Sequence, residues 1–224
     1  MCGHAEGACV QNLKNLGLGR HEIVISQACV RVMALWKLRV GVEAHYVSQV
    51  ASGLDEYYTG AGEAPGTWMG GGVAGFGLTG EVAPADLRAV LAGLAPGTGL
   101  TPNGTTLTAH ARRVPGFDLT FSVPKSVSVM YALGDPLVQH AVTQACETAL
   151  VEAVGWLGCE GCFLRSGTNK AENKQAWGDH WGTRRMVAAG FVAASFRHRT
   201  SRAGDPHLHW QVLVANMAQG IDGR

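Results

Sequence analysis

Apolar positions along this chain alternate with a period of two in some stretches and recur every three to four residues in others, and the two periods predict different elements. Residues 33–40, MALWKLRV, mix aliphatic and aromatic side chains as a first strand does. From Gly41 to Tyr58 the residues Val42, Tyr46, Val50 and Leu54 share one face at helical spacing. Residues 60–80 are glycine-rich and predict a loop. A second helix is expected from Ala83, with Pro84 in its first turn, Asp86 at its positive end and Leu87, Val90, Leu91 and Leu94 as the apolar stripe; Pro96 and Gly97 stop it. In FDLTF at 117–121, strand alternation puts Phe117, Leu119 and Phe121 on one face and Asp118 and Thr120 on the other, until PKS at 124–126 breaks the strand. Ser126–Leu133 fits either strand or helix. Pro136–Leu157 predicts a helix through Val138, Val142, Ala145, Ala149 and Val154, and the polar residues 165–185 predict a loop. Val187–Phe196 and His209–Met217 read as strands joined across Gly204, Asp205 and Pro206, a strong turn signal. An antiparallel hairpin of that kind brings His198 near His209. Residues 1–30 show no sustained period.

Composition narrows the class. The 224 residues suffice for one good-sized domain, and 46% hydrophobic residues can build a substantial core. No run of about 18 apolar residues predicts a membrane span, and the first ten residues lack a secretory pattern, so a cytoplasmic protein without membrane insertion is expected. Six cysteines include Cys159 and Cys162 in CxxC spacing, but no second well-spaced pair accompanies them; free thiols are favoured over a structural zinc site. The net charge of +1 does not by itself indicate a nucleic-acid partner. Its distribution is more informative: Arg184, Arg185, Arg197, Arg199 and Arg202 lie in a window without a single acid. Such a window suits either a phosphate-binding face or an ordinary solvated hairpin.

His207, His209 and Gln211 stand at i, i+2 and i+4 of the returning strand and therefore project from one face. With His198 on the partner strand they could supply imidazole ligands to a divalent ion. Satisfied polar side chains remain the alternative on geometry alone.

The sequence around these histidines, FRHRTSRAGDPHLH at 196–209 and on to Asn216, resembles the third motif of MobF-type conjugative relaxases, members of the HUH endonuclease superfamily. FDLTFSVPKSVS at 117–128 is similar to that family's second block, and LDEYYTGAGE at 54–63 to its tyrosine-bearing block. The resemblance runs from about Met33 to Arg224. It implies an α+β fold with a central antiparallel β-sheet and helices packed on one side of it. It also implies a strand-specific nickase acting on single-stranded DNA at a conjugative transfer origin, alongside relaxosome and conjugation proteins, through a covalent 5′-phosphotyrosine. Carried over by motif, His198, His209 and Gln211 would hold the metal and Asp118 would be the catalytic carboxylate. Tyr46 is the first choice of nucleophile, with Tyr57 and Tyr58 as a second, strand-transfer pair; the alternative for Tyr46 is packing against Val42 and Val50. Lys125, Arg197, Arg199 and Arg202 would contact DNA.

Three departures from the family pattern qualify these expectations. Gln211 stands where the second histidine of the HUH pair belongs, which tilts the expected ion toward Mg²⁺ or Mn²⁺ over Zn²⁺; glutamine variants, called HUQ enzymes, occur in the superfamily. His207 shares the strand face, but a separation of about 13 Å from position 211 makes it a poor direct replacement. His45 precedes Tyr46 where the family often pairs two tyrosines. The expected organisation is a leader of unassigned structure over 1–32, disorder being one option, and a nicking domain over 33–224 that is incomplete at its C-terminus. Two rival functions are a catalytically inactive DNA-binding remnant and a small Cys/His metal-binding protein.

Overall fold

A computed structural model describes residues 31–38, 65–101, 104, 114–166, 184–201 and 203–220. The helix expected over 41–58, the tyrosines Tyr46, Tyr57 and Tyr58, and residues 1–30 lie outside the described residues. The elements follow in the order β1 (Arg31–Lys37), β2 (Thr67–Met69), α1 (Pro84–Ala92), β3 (Gly116–Ser122), α2 (Lys125–Leu133), α3 (Pro136–Gly161), β4 (Phe163–Ser166), β5 (Arg184–Thr200) and β6 (Pro206–Gly220). All six strands join one sheet in the order β1-β3-β6-β5-β2, with β4 paired to β5, and every pairing is antiparallel. This is the expected α+β architecture.

Strand alternation divides the sheet into two chemically distinct faces. On one, Leu119 and Phe121 of β3, Phe191 and Ala193 of β5, and Leu208, Trp210, Val212 and Val214 of β6 form a core with Val142, Cys146, Leu150 and Val154 of α3. On the other, Val192, Ala194 and Phe196 of β5 and Leu213 and Ala215 of β6 pack with Trp68 of β2 and Leu87, Val90 and Leu91 of α1. The expectation of helices on one side is therefore corrected. The central strands carry apolar residues on both faces, so each face needs a cover.

Local chemistry sets the helix boundaries. Pro84 occupies the first turn of α1, and the helix ends at Gly93, whose φ of 76° supplies the left-handed cap. The stop thus falls at Gly93 ahead of Pro96, and Leu94 lies beyond the helix. Ser126–Leu133 resolves as helix α2, which starts directly after Pro124. In α3 the Asp135 side chain caps the Val138 amide at 2.9 Å and Pro136 follows at the first helical position. The α3 stripe is Val142, Cys146, Leu150, Ala153 and Val154; Ala145 faces solvent. Two expected loops contain strand: Thr67–Met69 pairs with Ala193–Ser195, and Arg165–Ser166 pairs with Arg184–Arg185. Among the described residues, no helix is long and apolar enough to cross a membrane.

Candidate metal and DNA-processing site

The register places the candidate side chains on the face that carries α1. His198 pairs directly with His209, Phe196 with Gln211, Ser122 with His209, Thr120 with Gln211 and Asp118 with Leu213. Since Phe196 and Leu213 belong to the α1-side core, His198, His209, Gln211 and Asp118 share that face. Arg197 pairs with Trp210 and faces the other way, toward α3.

The rings of His198 and His209 stack with centroids 5.1 Å apart, and His207 lies 4.6 Å from His209 on the same strand. Nδ1 of His209 is 2.8 Å from the carbonyl oxygen of His207. A carbonyl can only accept, so Nδ1 carries the proton, and in the neutral ring the lone pair sits on Nε2. A backbone carbonyl fixing the distal N–H is the usual support of a metal-ligating imidazole. Among the described residues, no group of three or more His, Cys, Asp or Glu side chains is arranged to hold an ion. By register, the Gln211 amide lies on the same face as the cross-strand imidazoles of His198 and His209 and is the candidate third donor. That chemistry fits a divalent ion accepting mixed nitrogen and oxygen ligands.

Asp118 is 6% exposed, an unusual environment for a carboxylate in the middle of a sheet. Its register partner is Leu213, which makes it a diagonal neighbour of Gln211, about 7–8 Å away between Cα positions. His209 is four residues from Leu213 along β6, roughly 13 Å. The carboxylate thus belongs to the Gln211 end of the site. Trp36 of β1, the register partner of Asp118, is 61% exposed at the sheet edge. Sequence reading passed over Trp36, because a tryptophan in an apolar strand carries no signal that it lies at an edge.

The four cations expected to meet DNA have different surroundings. Lys125 Nζ is paired with the Asp205 carboxylate and donates to the Pro206 carbonyl at 2.7 Å. Arg197 is half-buried and lies 3.6 Å from Glu147 of α3. Arg199 is half-buried near the end of β5, and the Arg202 side chain lies outside the described residues. Lys125 and Ser201 hold Asp205 well below the usual carboxylate range, at about 2. Sequence reading took Asp205 only as a turn residue and missed Ser128, whose hydroxyl accepts the Leu208 amide at 3.0 Å. No local pattern announces a contact spanning 80 residues. Cys146, Cys159 and Cys162 are not joined in disulfides, and burial pushes the Cys162 thiol up.

Known proteins resemble this chain over most of its length. The family model described as TrwC relaxase matches residues 40–224. The multifunctional conjugation protein TraI of Escherichia coli is 34% identical over 169 residues, covering 74% of this chain and 8% of the relative. A metal-bound conjugative relaxase TrwC in complex with oriT DNA superposes with a TM-score of 0.64 at 27% identity, over 85% of this chain and 59% of that one. TrwC complexed with a 27-mer DNA comprising the recognition hairpin and the cleavage site gives a TM-score of 0.63 at 26% identity, over 85% and 57%. The chain thus spans under a tenth of the curated relative and somewhat more than half of each solved relaxase.

Proposed function

This chain belongs to the TrwC relaxase family, and from that premise we propose that it is a strand-specific DNA nickase that cuts a conjugative transfer origin through a tyrosine nucleophile. The observation that carries the reading is the gathering of His198, His209, Gln211 and Asp118 on one face of the central strands. The solved relatives in complex with oriT DNA support single-stranded origin DNA as the partner. Relaxosome and conjugation proteins would be the wider company.

In the proposed reaction the hydroxyl oxygen of Tyr46 attacks the scissile phosphorus. A tyrosine–phosphate bond forms, the bond from phosphorus to O3′ breaks, and a free 3′-OH leaves. The phenolic proton passes to Asp118, and the departing oxygen takes one from water. Tyr57 and Tyr58 would serve the second, strand-transfer step. A divalent ion, Mg²⁺ or Mn²⁺ in preference to Zn²⁺, held by His198, His209 and Gln211 would draw charge from a non-bridging phosphate oxygen. Gln211 suits a place between ion and carboxylate: its amide oxygen can ligate while its NH₂ donates to an anion such as Asp118. Arg199 and Arg202 are assigned to backbone phosphates by the family motif; Lys125 and Arg197 hold ion pairs with Asp205 and Glu147.

The test uses the purified chain, Mn²⁺ and labelled single strands spanning transfer origins, with denaturation before electrophoresis. A protein–DNA adduct that disappears in Tyr46→Phe is expected. Binding without an adduct would select an inactive DNA-binding remnant. Gln211→His should tighten Mn²⁺ binding, and an unchanged affinity would remove Gln211 from the ligand set.

A further inference from the structure

We propose that Lys125 is a positioning residue for the histidine strand: its ammonium clasps Asp205 and the Pro206 carbonyl and so fixes the segment that presents His209, and it makes no contact with DNA phosphate.

The segment at the start of β6 is held from one side by residues 123–128, which lead out of β3 and form the first turn of α2. Lys125 grips Asp205 and donates to the Pro206 carbonyl at 2.7 Å. Two residues on, the Leu208 amide donates to Ser128 at 3.0 Å, and the Leu208 carbonyl accepts from the Val123 amide at 3.2 Å. Leu208 is fully buried and Ser128 is 1% exposed. Pro206 and Leu208 therefore anchor to residues 123–128, and His207 and His209 are carried between and beyond those anchors. The turn is closed from within: Ser201 donates to Asp205, and the Ala203 amide donates to the Ser201 hydroxyl at 3.1 Å. Asp205 thus ties the turn to α2 through Lys125. A register slip of one residue would send His209 to the opposite face of the sheet. An anchor three residues before His209 guards against that slip.

The proposal rests on reading His198 and His209 as ligands of a divalent ion, and the experiment keeps the two claims apart. Mn²⁺ binding is followed by electron paramagnetic resonance on the full chain and its Lys125→Met, Lys125→Arg and Asp205→Asn variants. Binding of a transfer-origin single strand is measured in parallel, without metal, across a range of salt. Loss of an orienting contact behind a ligand weakens metal binding roughly 10–100-fold. That loss is expected in Lys125→Met and Asp205→Asn, and Lys125→Arg should restore most of the affinity. The salt dependence of DNA binding should not change in Lys125→Met. A logarithmic slope reduced by about 0.7, the value for one phosphate contact on a single strand, would overturn the proposal. So would wild-type Mn²⁺ affinity in both clasp variants. Lys125 is exposed, so its replacement is expected to leave the fold intact. If the unaltered chain binds no Mn²⁺, the metal reading fails, and amide exchange at Leu208 decides the clasp. Faster exchange in Lys125→Met upholds it, and unchanged exchange overturns it.

Discussion

Replacing Ser128 by alanine removes one oxygen from a site that water does not reach. The hydroxyl accepts the Leu208 amide at 3.0 Å, and neither residue is more than 1% exposed. In Ser128→Ala the amide remains buried with its acceptor gone, which costs about 1–3 kcal/mol. Alanine is the better helix former, and because Ser128 lies inside α2 that gain offsets about 0.5 kcal/mol. The balance is a destabilisation of about 0.5–2.5 kcal/mol. For a domain of this size each kcal/mol lowers the melting temperature about 2–4 °C, so a fall of roughly 1–10 °C is expected. Ser126→Ala is the control: it lies in the same helix, is exposed and gains propensity without losing a buried partner. The difference between the two melting temperatures isolates the hydrogen bond. A Ser128→Ala chain as stable as Ser126→Ala would refute the account of how β6 is anchored.

Two further perturbations probe other parts of the argument. Gly190→Ala would place a Cβ 2.6 Å from the Gly71 Cα at a backbone φ of 150°, and a loss of about 1–3 kcal/mol is expected in a denaturant titration; wild-type stability would show that the two backbones can separate freely. Because the Asp205 pKa is depressed from 3.8 to about 2, its contribution is complete above about pH 4 and lost as the pH falls through about 2. Carboxyl NMR should place its midpoint near the low value and return it toward 3.8 in Lys125→Met, and a midpoint unmoved by that substitution would break the link.

The hairpin was legible because its signals are local. The Gly204–Pro206 turn and the alternation on either side fix the pairing of His198 with His209, and FDLTF fixes the face of Asp118. Parity then places all of them together once the strands adjoin. Ser126–Leu133 stayed ambiguous because a short apolar run fits both periods, and only the contacts of α2 with β6 decide for a helix. Thr67–Met69 was hidden by its length and by the glycines at 66 and 70–72, which favour a loop yet let the chain lie against Gly190 and Phe191. The ion pairs of Lys125 and Arg197 were invisible for another reason: their partners sit far off in sequence. A basic window read without those partners overstates the charge offered to a ligand.

The two histidines that stack are only eleven positions apart, whereas the carboxylate on β3 reaches the same surface from 80 residues before His198 and 91 before His209. Hairpins close in about 1–10 μs, while distant strands wait on the slower search that closes long loops. Assembly of the site therefore has an intrinsic order, with the imidazole pair formed first and Asp118 arriving when β3 docks. On a ribosome that order is constrained differently: β3 emerges well before β6 and must wait for the late hairpin to complete the pair, so the chemistry comes together only at the end of synthesis of this region.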